Sequence, residues 1–258
     1  MLWGTFTNIH IGTLAFALIF IIILYNVLVD KSRKTQILTL FVISLVVAGL
    51  VIYNGITSDD VINNLPISLW SMSAVLLPYA VLRRGKATCN LLLLWPIESL
   101  LLLIFNYDMA GIEVVSSEFI IYFFTHVLVF AIPLLLFWLR LVKREYKYMK
   151  ISLVFTAIVY TGVHFFNVAF GTNYLYSVSP ESNEIFAFFR MILPFPYWYM
   201  YLIIPAFILY LGWWYLPEIL DYRRKTKGLR KKLRAIDKYY DEYEDEYLDE
   251  IIEEKYGD

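Results

Sequence analysis

The sequence predicts an all-α polytopic membrane bundle of seven transmembrane helices, followed by a cytoplasmic amphipathic helix. Three observations carry that prediction. The 258-residue chain is 60% hydrophobic and only 17% charged, against roughly half and about a quarter in soluble domains. Its apolar residues come in blocks long enough for a hydrocarbon core about 30 Å thick, which takes roughly 20 residues at 1.5 Å each. Its Lys and Arg residues fall in alternate loops.

The seven blocks are Ile11–Val29, Gln36–Tyr53, Leu65–Leu82, Cys89–Phe105, Phe119–Leu139, Ile151–Phe170 and Tyr197–Leu216. No Lys or Arg precedes the first block, and its apolar run is too long for an h-region. It therefore reads as a retained span and not a cleaved signal peptide. The second, third and fourth blocks are shorter than the rest. No internal repeat of the kind found in secondary transporters is visible.

Basic residues set the orientation. Lys31, Arg33 and Lys34 occupy the first loop, Arg83, Arg84 and Lys86 the third, and Arg140, Lys143, Arg144, Lys147 and Lys150 the fifth. The second and fourth loops carry acids and no basic residue, and Arg190 is the one cation of the sixth. By the positive-inside rule the amino terminus lies outside and the carboxyl terminus in the cytoplasm. That localises the chain to the plasma membrane.

A compositional break at Asp221 divides the chain into a membrane domain, 1–220, and a charged tail, 221–258. The tail opens on a basic block and closes on an acidic one. Between them Leu229, Leu233, Ile236, Tyr240, Tyr243 and Tyr247 step by four and three residues, a short heptad seam. The seam fits a docking face for a cytoplasmic or membrane protein partner. The basic block alternatively adsorbs to anionic headgroups. Cys89 is the sole cysteine, so no internal disulfide is available. No phosphate loop and no metal-spaced Cys/His cluster is present, so the sequence predicts no cofactor, no metal and no nucleic-acid partner.

Ionisable groups within membrane spans are costly and usually face a bundle interior or a wet cavity. Glu98, His126 and His164 are the three that the blocks contain. With the 1.5 Å rise, His126 and Glu98 both lie about 10 Å below the outer boundary, and His164 about 9 Å below it. Asn167 and Ser68 each enter at about 4 Å. His164 and Asn167, three residues apart, share a helical face. These groups predict a polar cleft opening outward among the third to sixth spans, capped by the Gly171–Tyr176 turn and lined by Asn173 and Tyr174. A carboxylate at the depth of His126 fits an orienting partner for a general base. Single membrane histidines and asparagines also serve as plain interhelical glue, and Trp70 and Trp95 read as packing or interface residues. Beyond the turn, Glu184–Leu193 reads as an interfacial helix, with Arg190 placed to meet a lipid phosphate.

Several of these pieces occur together in one known group. Leu65-Pro66 opening a span, Thr125-His126 within a span, Asn167 followed by Gly171-Thr172-Asn173-Tyr174-Leu175-Tyr176, and Pro194–Trp198 leading into the last span resemble the bacterial YwaF-like integral membrane proteins. Those are related to animal transmembrane protein 164. The resemblance covers most of residues 1–216 and excludes the tail. It implies acyl transfer between phospholipids by a cysteine–histidine pair, with His126 in the histidine's place. Where the family reads Leu-Pro-Leu-His-Leu-Cys, this chain has Leu65-Pro66-Ile67-Ser68-Leu69-Trp70. Both functional positions are thus replaced, and Cys89 falls at the opposite end of its span. Two readings follow. One is a non-catalytic lipid-binding or assembly subunit of a bacterial membrane complex, with lipid held near His164, Asn167, Asn173, Tyr174 and Arg190. The alternative is a phospholipid acyltransferase with His126 as base, Glu98 beside it and Ser68 as nucleophile.

Overall fold

A computed structural model describes residues 7–105, 112–114, 116–145 and 147–179, with parts of 212–239. Arg190, Leu233, Tyr240, Tyr243, Tyr247 and the whole seventh expected span except its last residues lie outside the described residues. The chain divides into two compact units, Met1–Leu211 and Gly212–Asp258.

The first unit is helical: α1 (Asn8–Val29), α2 (Arg33–Thr57), α3 (Leu69–Arg83), α4 (Lys86–Leu91), α5 (Ile97–Phe105), α6 (Ser117–Trp138) and α7 (Lys147–Phe170), with single 3₁₀ turns at Ile62–Asn64 and Tyr174–Tyr176. Four of these starts are set by side-chain caps. Thr7 accepts from the His10 N–H, Ser32 from Thr35, Ser68 from Ser71 and Ser116 from Phe119. Each satisfies one of the donors that a helix start leaves open.

Helices α1, α2, α6 and α7 are long and apolar enough to cross a membrane. The third expected span is the 15-residue apolar helix α3. The fourth is not one helix. It is broken between α4 and α5, and Leu92–Pro96 continue it through short i−3 bonds such as Leu94 N–H to the Leu91 carbonyl and Ile97 N–H to that of Leu94. Pro96 has no N–H to give and clashes with a helical residue before it, which is why the ladder slips there. Leu92, Leu93, Leu94 and Trp95 in this segment are buried, and irregular backbone is tolerated at membrane depth only where protein covers it.

Burial shows how the helices are arranged. In α6, 67% of the apolar window is buried, against 17% to 33% in α1, α2 and α7. Helix α6 is therefore the central post, packed against α1, α2, α3 and α5, while α7 packs on α4. Phe16 and Phe20 of α1 interlock with Phe123 and Phe124 of α6 through tilted and edge-on ring contacts. The outward faces of α1, α2 and α7 carry large exposed apolar side chains, among them Leu18, Ile23, Leu38, Val46, Ile158 and Phe165. In water such a surface would aggregate; against acyl chains it costs nothing.

One end of the bundle gathers the basic loops. Arg33 donates to the Arg140 carbonyl at 3.0 Å, and Asn90 accepts from the Glu145 N–H at 3.3 Å. Glu145 is ion-paired with both Lys86 and Lys147, whose ammonium groups hold its carboxyl below the usual range. The loops after α1, α3 and α6 therefore meet at one end, and the acidic loop after α2 lies at the other.

Candidate functional site

A cavity of about 700 Å³ lies at the acidic-loop end. Its wall is assembled from α2 (Asn54, Gly55), the 63–66 loop, the start of α3 (Ser68, Trp70, Ser71), Glu98 of α5, the first turns of α6 up to His126, and the 173–176 turn. This volume falls within the usual range for small-molecule sites.

His126, one of the lining residues, is 1% exposed. Its Nδ1 lies 2.8 Å from the Tyr122 carbonyl one turn earlier on α6. The Tyr122 and Trp70 rings rest against the imidazole with centroids 4.0 and 4.1 Å away. Ser99 of α5 donates to the His126 carbonyl at 2.9 Å, drawing α5 and α6 together at this level. The histidine is held on several sides by packing and backbone bonds.

Glu98 does not orient His126 directly. Its Oε2 accepts the Trp70 N–H at 2.7 Å. Ser68 is the N-cap of α3, so Trp70 is its second helical residue, and that N–H is one the helix itself leaves open. A carboxylate at a helix amino terminus also meets the positive end of the helix dipole. Glu98 therefore positions Trp70, and Trp70 in turn packs on His126. Trp70, expected as a packing residue, is thus part of the cavity wall. Ser68 Oγ is engaged locally, 3.3 Å from the Ser71 N–H and 2.7 Å from Ser71 Oγ, and no bond joins it to His126.

His164 and Asn167 are buried on α7, and neither lines the cavity. They hold the turn that does. Asn167 Nδ2 donates to the Tyr174 carbonyl and to Ser177 Oγ, both at 2.7 Å. Its Oδ1 accepts from Thr172 Oγ1 at 2.7 Å and from the Tyr174 N–H at 3.0 Å. His164 Nδ1 lies 3.2 Å from Ser177 Oγ, and Tyr160 donates to the Leu175 carbonyl at 3.0 Å. These bonds fix a backbone that is otherwise unfavourable. Leu175 and Tyr176 are consecutive left-handed residues with φ of 57° and 51°, each costing about 1–2 kcal/mol relative to ordinary conformations. Asn173 accepts from the Val178 and Ser179 N–H groups. The Tyr174 hydroxyl reaches across to the Ile62 carbonyl at 2.6 Å, tying the turn to the loop before α3.

Cys89 lies at the basic end, buried, with its thiol against the Ala80 carbonyl. Among the described residues no His/Cys/Asp/Glu group is arranged to hold a metal. In the second unit Leu229 and Ile236 are exposed, one heptad apart.

Three contributors escaped the sequence reading. Ser99 and Tyr122 sit on either side of His126 in the fold but had no polar spacing to mark them. His10 is fully buried, with Nε2 2.8 Å from the Leu103 carbonyl, and ties α1 to α5. Placing the first span's start at Ile11 left it just outside, although a histidine adjoining a 22-residue apolar helix was signal enough.

Comparison with known proteins agrees with this architecture. The model of the TMEM164 family matches residues 3–215, nearly all of the first unit. No curated protein and no solved structure matches the chain. With a family match over most of its length and apolar helices fit to cross a bilayer, the chain is a membrane protein belonging to the TMEM164 family.

Proposed function

We propose that this protein is a seven-span plasma-membrane protein that holds a membrane lipid in its polar cavity without performing acyl transfer, as a binding or assembly subunit of a bacterial membrane complex. The observation that carries this is the occupation of the positions where a nucleophile belongs. Ser68 Oγ serves as a helix cap bonded to Ser71, Trp70 stacks on His126, and the sole thiol is buried at the other end of the bundle. A thiolate or activated hydroxyl within reach of the base is what acyl transfer demands. Native mass spectrometry of the protein extracted with its lipids is expected to retain a phospholipid and any partner subunit. Labelled phospholipid is expected to show no acyl exchange. Exchange that is abolished in His126→Ala would establish the second reading, an acyltransferase with His126 as base, which the placement of neither Ser68 nor Cys89 supports but the cavity position of His126 favours.

The basic loops sharing one end, taken with the positive-inside rule, support an external amino terminus. A cysteine replacing Ser58 is expected to label from outside intact cells, and one replacing Arg33 only after permeabilisation; the reverse pattern inverts the topology.

The tail is the proposed contact for the partner, through Leu229, Leu233, Ile236, Tyr240, Tyr243 and Tyr247. Leu233→Asp with Ile236→Asp is expected to reduce partner recovery more than charge reversal at Lys231, Lys232 and Arg234, since carboxylates on a docked apolar stripe would be buried without partners. Salt-sensitive membrane retention that responds only to the charge reversals identifies adsorption to headgroups instead.

A further inference from the structure

We propose that the basic end of the bundle holds an anionic phospholipid at the corner where α1 and α6 end. Its phosphate lies on Arg33 and Arg140, and an acyl chain runs along Ile22, Tyr25 and Val29 of α1 beside Trp138 of α6. None of these residues lines the cavity, and only the assignment to the cytoplasmic leaflet rests on the orientation proposed above.

The fold brings the two arginines together. Arg33 donates from Nη2 to the Arg140 carbonyl at 3.0 Å, which uses only one of the guanidinium's five N–H donors. Both residues are exposed, and no salt bridge joins either to a described carboxylate. The loops after α1 and α6 contain two acids. Glu145 is committed to Lys86 and Lys147, and Asp30 sets one charge against Lys31, Arg33, Lys34 and Arg140. These cations also sit where the backbone does not favour them. Arg33 and Lys34 open α2, whose first turn has no acid, at the positive end of its dipole. Arg140 is left-handed, with φ of 56°, at the place after α6 where the Leu141 N–H reaches back to the Leu136 carbonyl; glycine ordinarily takes that place. The carbonyls that end α1 do not occupy the guanidinium either, because Gln36 Nε2 donates to those of Leu28 and Val29 at 2.9 and 3.4 Å. A phosphate on the two arginines offsets their repulsion and the unfavourable dipole, and its oxygens match the forked donors.

The neighbouring aromatic and apolar residues supply the rest of a lipid site. Trp138, the last residue of α6, is 44% exposed and meets Tyr25 edge-on with ring centroids 6.1 Å apart. Trp and Tyr collect at the headgroup level of a bilayer, which sets Arg33 and Arg140 just beyond the hydrocarbon. Ile22, Tyr25 and Val29 are three and four residues apart, hence on one face of α1. Ile22 and Val29 are exposed and give an acyl chain an apolar track leading away from the cations. Charge then decides among lipids. Phosphatidylglycerol brings a net negative charge, whereas phosphatidylcholine brings the same phosphate with an ammonium that must sit among cations. The positive-inside rule asks only for cations at this end and is indifferent to which ones. Removing equal charge elsewhere on the same end therefore separates a site from general basicity.

The test uses the full chain in phosphatidylcholine nanodiscs containing a minor share of phosphatidylglycerol with a photoreactive acyl chain. Native mass spectrometry is expected to find phosphatidylglycerol retained over phosphatidylcholine by roughly thirtyfold, about fivefold from each arginine. Crosslinks are expected on the peptides carrying Ile22, Tyr25, Val29 and Trp138. Arg33→Gln with Arg140→Gln is expected to remove both the preference and those crosslinks. Arg140→Gln alone keeps the bond from Arg33 to the backbone carbonyl, so it folds as the parent does and is expected to lose about fivefold. Lys147→Gln with Lys150→Gln removes the same formal charge from the start of α7 and is expected to change the preference by less than about twofold. Equal losses from the two double variants reduce the site to general basicity and overturn it. Crosslinks in the parent chain that fall on other faces, or are spread evenly over the helices, overturn the location without any variant. Absence of a preference in the parent overturns the assignment outright. Inorganic phosphate that displaces the lipid and clears the crosslinks assigns the arginines to a soluble anion and overturns the lipid.

Discussion

Asn167→Ala is expected to loosen the 172–177 turn from α7 and to weaken lipid retention in the cavity. The side chain makes four hydrogen bonds, two from Nδ2 and two to Oδ1. Alanine leaves the Tyr174 N–H and carbonyl and the hydroxyls of Thr172 and Ser177 without this partner in largely buried surroundings. Each net bond contributes about 1 kcal/mol and each unsatisfied group costs about 1–3 kcal/mol. Water reaches part of the turn from the cavity, so the expected loss is about 3 kcal/mol and not the full sum. The left-handed Leu175 and Tyr176 backbone then loses its largest set of ties and is left with the bonds from Tyr160 and His164 and the Tyr174 hydroxyl's reach to Ile62. Asn167→Asp separates shape from bonding. It keeps the Oδ1 acceptor but turns the donor that faces the Tyr174 carbonyl and Ser177 into a second acceptor. It is expected to destabilise nearly as much as alanine. Thermal unfolding in micelles checks the stability, and native mass spectrometry checks retention. An aspartate variant as stable as the parent would mean that the Nδ2 bonds contribute little.

The contrast between Asn167 and Glu98 marks what the sequence makes legible. Helix periodicity puts His164 and Asn167 on one face of α7, and the 1.5 Å rise sets Glu98 and His126 at one depth from helices running in opposite directions. Both statements are local geometry, and a single sequence contains them. Which way a face points is set by packing. Asn167 turned out to bond the chain a few residues downstream, a partner that no periodicity indicates because the turn is irregular. Glu98 bonds a backbone N–H, and backbone donors look alike in a sequence. Only the fold places the start of α3 over α5. The four long helices were legible because each needs only length and hydropathy, whereas the broken fourth span was obscured by its own uniform hydrophobicity. Leu91 to Leu94 reads as continuous helix, yet Pro96 interrupts the ladder. The basic loops were read from counts alone, and their meeting around Glu145 and Arg140 follows from the alternation of the helices.

Gly55→Ala is expected to destabilise the protein and open the cavity wall, although alanine is by itself the better helix former. A Cβ at Gly55 would lie 2.7 Å from the Asn64 carbonyl oxygen, with the Pro66 ring 3.9 Å away. The first of these is backbone, which cannot swing aside as a long side chain would. The Ile62–Pro66 segment must move outward, and Asn63, Asn64, Leu65 and Pro66 are all cavity lining. That movement also pulls Ile62 from the Tyr174 hydroxyl, so the turn on the far side loses its tie. Helix propensity favours alanine by about 1 kcal/mol, and overpacking costs about 1–3 kcal/mol; because the obstacle is backbone the cost falls at the upper end, and the balance is a net loss of up to about 2 kcal/mol. Gly49→Ala on the same helix isolates the two effects. A Cβ there meets nothing within 4 Å, so only propensity acts, and a gain of up to about 1 kcal/mol is expected. Thermal unfolding of the pair reads the difference directly. Both variants gaining stability would show that the 62–66 loop yields freely, and that the close approach of Asn64 to α2 does not hold the cavity's shape.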